Sequence, residues 1–122
     1  MDLNRVTLIG NLTKDPVKKS LPSGKGVSSF SLATNYRWED AATKESKENV
    51  EFHDIVAWGK LGDIVHQYVK KGSKVYVEGR LRNRTWKGKD GKTQKRTEIV
   101  ADNLIMLGHR NKSEASAEPS VA

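Results

Sequence analysis

The sequence contains no cysteine in its 122 residues, and it has only three prolines and eight aromatic residues. Without cysteine there is no disulfide framework and no thiolate zinc site, and a reducing cytoplasm is the compartment that we expect. No apolar run approaches the roughly 20 residues of a membrane-spanning helix, and the opening MDLNRVTLIGNL lacks the features of a signal peptide. The composition favours one small domain, residues 1–108, without a membrane partner, followed by a small, polar and disordered tail, residues 109–122.

Positive charge is concentrated in one segment of the chain. Residues 80–97, RLRNRTWKGKDGKTQKRT, contain eight basic residues, one acidic residue and one tryptophan, so this segment alone accounts for the net charge of +7. A basic segment with an aromatic side chain suits a partner that has repeated negative charge and flat faces for stacking, as single-stranded nucleic acid has. A solvated sheet edge that resists aggregation is the alternative interpretation. A membrane-surface helix is disfavoured, because the pattern is that of strands and turns.

Hydrophobic periodicity predicts an all-β domain with one helix. Five segments show alternation or short apolar runs, and one segment has the i, i+3, i+4 spacing of a helix. A helix between the third and fourth strands fits a five-stranded Greek-key barrel of the oligonucleotide-binding (OB) type, and closure of the barrel removes free sheet edges. The predicted strands are residues 4–12, 27–38, 50–58, 73–84 and about 94–107, and the predicted helix is 60–72.

The connecting segments and the helix surface give further expectations. The polar residues 39–49 are expected to form a solvated loop, and Asp90–Gly91 a hairpin turn. The helix is expected to bury its whole apolar stripe, Ile64 and Tyr68 included, and to end in a left-handed cap at Gly72.

The fourth predicted strand has apolar residues on one face and basic residues on the other. Val75, Val77 and Leu81 share one parity, while three arginines share the other. Trp86 has the arginines' parity if the strand continues that far. Side chains on this face repeat every 6–7 Å or so, at about twice the rise per residue, which is roughly the phosphate spacing of a single strand. The three arginines are Arg80, Arg82 and Arg84.

The aromatic residues outside this strand have more than one interpretation. Trp38 lies among charged residues, where a large aromatic side chain is usually close to the surface. Phe52 and Trp58 belong to a strand with apolar groups on both faces, so core packing and ligand stacking are equal alternatives for them. Tyr36 and Tyr76 stay open between the same alternatives.

The titratable residues form no catalytic or metal-binding motif. His53 and His66 are thirteen residues apart with no acidic ligand in register, so no metal site and no cofactor are predicted. A metal-dependent nuclease, the alternative class, would need clustered carboxylates beside a positioned base, and the carboxylates are scattered. These residues favour a non-catalytic binding protein, for which RNA stays open as a ligand beside DNA.

Several motifs together resemble those of the bacterial-type single-stranded DNA-binding protein family. They are LNRVTLIGNLTKDP, FSLATN, FHDIVAWGKLGDIVHQYVKKGSKVYVEGRLRNRTW and the closing IMLG, which together cover nearly all of residues 3–108. The combination is specific, although no single motif is. The resemblance implies an OB barrel that assembles as a homotetramer. It also implies that the protein wraps single-stranded DNA during replication, recombination and repair, in the cytoplasm with the nucleoid.

The resemblance also implies roles for individual residues. His53 matches a position that the family uses in subunit contacts. Asp54 stands where the family often has a basic residue, and an acid there would weaken a binding groove locally unless an arginine or lysine pairs with it. The family usually ends in an acidic, partner-recruiting tip, which we expect to be absent from this chain because it closes with EPSVA. The implied stacking residues are Trp38, Phe52, Trp58 and Trp86, and the implied DNA-backbone contacts are Lys60, Lys71, Arg82 and Arg84, to which the basic segment adds Arg80, Lys87 and Lys89.

Overall fold

A computed structural model describes residues 1–109 of the chain as six strands and one helix. Residues 110–122, nearly all of the segment expected to be a disordered tail, lie outside the described residues. In the described part of the chain, no helix has both the length and the apolar character needed to cross a membrane. The elements are β1 (Val6–Leu12), β2 (Val17–Ser20), β3 (Gly26–Glu39), β4 (Ser46–Trp58), α1 (Gly59–Tyr68), β5 (Ser73–Lys87) and β6 (Thr93–His109).

Five of the strands close into a barrel, and the short β2 extends the sheet at one edge. The strand order is β1-β5-β6-β4-β3-β2, and β1 closes the barrel by pairing with β3 beside Leu12 and Leu32. The β4–β6 pair is parallel at Ile55 and Ile99, whereas the other pairs are antiparallel. The helix α1 lies between β4 and β5, the third and fourth strands of the barrel. The predicted OB barrel with one helix in this position is confirmed.

The core is made by alternate residues of the barrel strands. Leu32, Ile55, Val75 and Val77 are at most 1% exposed, and α1 adds Val65 to the same cluster. Full burial of a side chain of this size contributes about 1.5–3 kcal/mol. Because side chains alternate along a strand, the residues between these core positions point to the outer face of the barrel. That outer face holds the candidate site.

Closure of the barrel depends on a glycine. A side-chain carbon at Gly10 would collide with the backbone carbonyl of Ala33 on β3. Gly10 lies in β1 just before the two residues that pair with β3. The two strands therefore come close enough to close the barrel only because position 10 has no side chain.

The helix is shorter than predicted and buries less of its apolar stripe. It ends at Tyr68, and Val69 is already extended (φ −98°, ψ 136°), although its N–H still donates to the Val65 carbonyl. Gly72 has the expected positive φ of 88°, but it lies in the turn that leads into β5. Tyr68 and Ile64 are 57% and 48% exposed. The prediction of a fully buried stripe is therefore wrong for these two residues, because only one side of this short helix faces the barrel.

Strand pairing extends further than alternation indicated. β3 and β4 stay paired from Val27–Trp58 to Glu39–Ser46, so only residues 40–45 of the expected 39–49 loop connect them. β2 consists of four exposed residues without alternation, and it forms by pairing with β3. Leu81 has the parity of the core residues of β5 but lies beyond the packed interior and is 47% exposed. Backbone hydrogen bonds can continue a ladder past the core once the register is fixed.

Candidate nucleic-acid interface

A groove of about 510 Å³ crosses the outer face of the barrel. The register of β3 and β4 places Ser29 opposite Val56 and Val27 opposite Trp58. Trp58 is half-buried, and its side chain lines the groove. The basic residues lining the groove are Lys14, Lys19, Arg82, Arg84 and Arg96, and the acidic ones are Asp15, Asp54 and Glu98.

Two aromatic residues line this groove: Phe30, which belongs to the core, and Trp58, whose ring has two cations close to it. The guanidinium carbon of Arg82 is 5.8 Å from the centroid of the indole, and Lys25 Nζ is 5.7 Å from it. Both distances are within the range of a cation–π interaction. The indole ring can stack a base, and the neighbouring cations can hold the phosphate next to that base.

Arg82 is held in position by a buried carboxylate. Its Nε donates to Glu98 Oε1 at 3.1 Å, and its Nη2 contacts the same oxygen. Glu98 is only 3% exposed, whereas the side chain of Arg82 is 36% exposed. The pair therefore fixes the guanidinium beside Trp58 and leaves part of it open to solvent.

The basic face predicted for β5 is present, and its members have different surroundings. Pairing with β6 keeps Arg80, Arg82, Arg84 and Trp86 on one face. The guanidinium carbon of Arg84 is 5.0 Å from the centroid of the Trp86 ring, and Trp86 is 39% exposed. Nη1 of Arg80 lies 3.8 Å from Oδ1 of Asp102, and Arg80 does not line the groove.

Phe52 and Trp38 lie on opposite faces of the long β3–β4 hairpin. The uninterrupted register puts Phe52, which is 67% exposed, on the same face as Trp58. Trp38, which is 41% exposed, is on the other face and stacks against Tyr36 with ring centroids 5.5 Å apart. The four predicted stacking residues are therefore not brought to one surface, since Phe52, Trp58 and Trp86 face outward and Trp38 lies behind the hairpin.

The remaining lysines predicted to contact DNA are exposed but do not line the groove. Lys60 is in the first turn of α1, and Lys71 is in the turn after it, where its backbone N–H donates to Asp15 Oδ1 at 2.8 Å. Lys87 ends β5, and Lys89 belongs to the β5–β6 loop, which contains the expected Asp90–Gly91 turn.

His53 and Asp54 lie side by side on β4 and point to opposite faces of the sheet. His53 is half-buried, and its Nε2 is 2.9 Å from the Thr34 hydroxyl. Asp54 lines the groove, and its Oδ2 lies 3.6 Å from Arg96 Nε. Arg96 of β6 is therefore the basic residue that pairs with Asp54, a pairing that the sequence alone could not identify.

Some residues of the interface were missed by sequence reasoning. Lys14 and Lys19 reach the groove from the β1–β2 connection and from β2, far along the chain from Arg82. No local pattern joins them to the basic segment, because only closure of the barrel brings them together. Tyr36 could have been assigned to the same surface as Trp38 from the sequence, since the two residues are two positions apart on one strand and therefore share a face.

A closed barrel whose outer face combines exposed aromatic rings with a basic groove is the architecture of oligonucleotide-binding proteins. The family model described as "Single-strand binding protein family" matches residues 3–107. A solved structure described as "Plasmodium falciparum SSB complex with ssDNA" is similar to this chain with a TM-score of 0.80 and 37% sequence identity, over 88% of this chain and 97% of that chain. The chain belongs to the single-strand binding protein family, and the resemblance seen in the motifs is confirmed.

Proposed function

We propose that the protein binds single-stranded DNA, with little dependence on base sequence, by stacking bases on aromatic rings and holding the backbone in the basic groove. The observation that carries this proposal is the position of Trp58, with cations 5.7 and 5.8 Å from its ring centroid. Every base has a face that can stack and every nucleotide a phosphate, so neither interaction reads the sequence. Membership of the single-strand binding protein family supports the same ligand.

We assign the aromatic contacts to two surfaces. Phe52, Trp58 and Trp86 supply the outer surface, and Trp38, with Tyr36 beside it, supplies the surface behind the hairpin. A DNA strand that contacts both surfaces must pass around the β3–β4 hairpin or be held by more than one subunit. The proposed backbone contacts are Lys60, Lys71, Arg80, Arg82, Arg84, Lys87 and Lys89, together with the groove residues Lys14, Lys19 and Arg96.

We infer that the protein self-assembles, with a homotetramer as the specific proposal. Strand register aligns Ile9, Tyr76 and Ile105 in one row on the outer face of β1, β5 and β6. Ile9 and Ile105 are 52% and 49% exposed, and an exposed apolar row of this kind is typical of a surface between subunits. None of the three residues lines the groove, so assembly through this row leaves the groove accessible. His53 stays a proposed subunit contact.

We propose that the protein performs no chemistry and needs no cofactor. Among the side chains that the structure describes, no group of three or more from histidine, cysteine, aspartate or glutamate could hold a metal ion. The nuclease alternative therefore finds no support in the described part of the chain. The corresponding cellular role is a cytoplasmic, nucleoid-associated one, in which single strands are protected during replication, recombination and repair.

Titration with oligo(dT) tests the proposed function. We expect strong quenching of tryptophan fluorescence at low salt, because bases would stack on indole rings, and far less quenching by duplex DNA of equal length. The logarithm of the binding constant should fall linearly with the logarithm of the salt concentration, by roughly 0.7 for each phosphate contacted. Equal quenching by single strands and duplex would contradict the proposal, and competition with a matched RNA would rank RNA against DNA.

A further inference from the structure

Asp54 lies in the groove that we assign to DNA, although its charge opposes DNA binding. Its side chain is on the outer face of β4, on the same face as Val56 and Trp58. The carboxylate oxygen Oδ2 lies 3.6 Å from Arg96 Nε. A carboxylate in this position repels a phosphate backbone, and it also competes with that backbone for Arg96.

The other two acidic residues of the groove have partners that tie them to the fold. Glu98 is 3% exposed and orients Arg82, and Asp15 accepts the backbone N–H of Lys71 at 2.8 Å. The interaction that the structure gives for Asp54 is its ion pair with Arg96, in which the two side chains are 50% and 54% exposed. An exposed ion pair of this kind contributes about 0–1 kcal/mol to stability. Stability of the fold is therefore a weak reason for an acid at position 54.

We propose that Asp54 is an internal counterion of the groove, which neutralises Arg96 in the free protein and is displaced by a DNA phosphate when a strand binds. The inference rests on the proposed function. Arg96 can exchange one anionic partner for another because both sides of its ion pair are open to solvent. Arg82 cannot do so in the same way, because its carboxylate partner is buried.

This exchange lowers both the affinity and its dependence on salt. When a phosphate takes Arg96, the DNA releases a condensed cation, but the freed carboxylate of Asp54 gains a cation from solution in its place. The net release of ions is then smaller than the number of phosphate contacts would indicate. Asp54 thus holds the affinity below the value that the basic residues alone would give.

The substitution Asp54→Asn tests this inference, because asparagine keeps the size of the side chain and removes its charge. The variant should bind oligo(dT) about three- to tenfold more tightly at low salt, as expected for the loss of one unfavourable charge interaction at short range. Its plot of log binding constant against log salt concentration should become steeper by about 0.7 between roughly 50 and 200 mM salt. Tryptophan quenching measures both quantities. Asp54→Ser, a second neutral variant, should change the slope in the same direction.

Asp63→Asn is the matched control, because it removes one negative charge from another exposed ion pair. Asp63 Oδ1 lies 3.0 Å from Lys18 Nζ, and neither residue lines the groove. Equal tightening in both variants would indicate a general effect of net charge and would overturn the inference, as would an Asp54→Asn variant that binds like the wild type or more weakly. If the wild type failed to bind oligo(dT), the proposed function and this inference would fail together. Normal wild-type binding with an unchanged Asp54→Asn variant would overturn this inference alone.

Discussion

At the scale of single residues, the surroundings of Trp58 favour the proposed role in ligand stacking over a role in core packing. The sequence left both alternatives open, because Phe52 and Trp58 share a strand with apolar groups on both faces. In the structure the opposite face of that strand supplies the core residues Ile55 and Ala57, which are fully buried. Trp58 instead borders the groove beside Arg82 and Lys25. These surroundings support the proposed role of Trp58 in stacking a base.

Trp58→Ala should weaken binding to oligo(dT) about fivefold to hundredfold, since stacking of one base contributes roughly 1–3 kcal/mol. The loss should be similar for oligonucleotides of different sequence, because every base can stack. Tyr68→Ala is the control: Tyr68 is 57% exposed on α1 and lies outside the groove, so its removal should leave the affinity unchanged. Fluorescence anisotropy of a labelled oligonucleotide measures both variants, and equal affinities for the two would remove Trp58 from the site.

The part of the site that could be predicted from the sequence is the part that one strand contains. Alternation along β5 was enough to place Arg82, Arg84 and Trp86 on one face. Lys14 and Lys19 could not be assigned to the same groove, because nothing in a local pattern measures the distance between segments that closure of the barrel brings together. That Trp38 lies on a different face from Phe52 and Trp58 could not be predicted either, since it depends on the register between β3 and β4.

At the scale of elements, the turn of the β3–β4 hairpin is organised by one carboxylate. Asp40 Oδ1 accepts the backbone N–H groups of Ala42 at 2.8 Å and Thr43 at 3.2 Å. These hydrogen bonds, with a smaller contribution from Lys47, hold the pKa of the Asp40 carboxyl below its ordinary value of 3.8. The ionised carboxylate therefore stabilises the turn that keeps β3, which carries Tyr36 and Trp38, in register with β4.

The turn should loosen in acid with a defined midpoint. Because the pKa of Asp40 is lower in the folded hairpin than in the unfolded chain, its stabilisation is complete above the ordinary pKa and is lost as the pH falls through the lowered one. The amide resonances of Ala42 and Thr43 should therefore titrate with a midpoint below 3.8 in an NMR pH series. Asp40→Asn keeps the acceptor oxygen and should abolish this titration, while Asp40→Ala should speed hydrogen exchange at both amides. A midpoint at or above the ordinary value would contradict the assignment.

Local patterns predicted the elements that bury a face and missed those that only pair their backbones. The alternation of β3 and the apolar stripe of α1 both reflect contact with the core, so both were visible in the sequence. β2 has four exposed residues, so its pairing with β3 produces no alternation of apolar and polar side chains in the sequence. The end of α1 was misplaced for a related reason, because Val69 is buried in an extended conformation and so continues the helical spacing by coincidence.

At the scale of the whole molecule, the barrel separates two surfaces with different chemistry. The groove crosses the outer faces of β2, β3, β4, β5 and β6, and charged side chains line it together with Trp58 and aliphatic residues. The apolar row of Ile9, Tyr76 and Ile105 lies on β1 and the adjoining parts of β5 and β6. A protein that binds DNA through the first surface can therefore assemble through the second one without covering its own groove.

Ile105→Asp should break the proposed assembly, because it places a charge in the apolar row, where burial of an unpaired carboxylate is costly. Light scattering at micromolar concentration should give a wild-type mass near four times 13.6 kDa and a clearly lower mass for the variant. Ile64→Asp is the matched control, since Ile64 is similarly exposed (48%) but lies on α1, and its mass should equal that of the wild type. A monomeric wild type would refute the homotetramer, whereas an unchanged mass for Ile105→Asp would place the subunit contact elsewhere. Because the groove does not include Ile105, the dissociated variant should still show tryptophan quenching with a short oligo(dT), which separates loss of assembly from loss of binding.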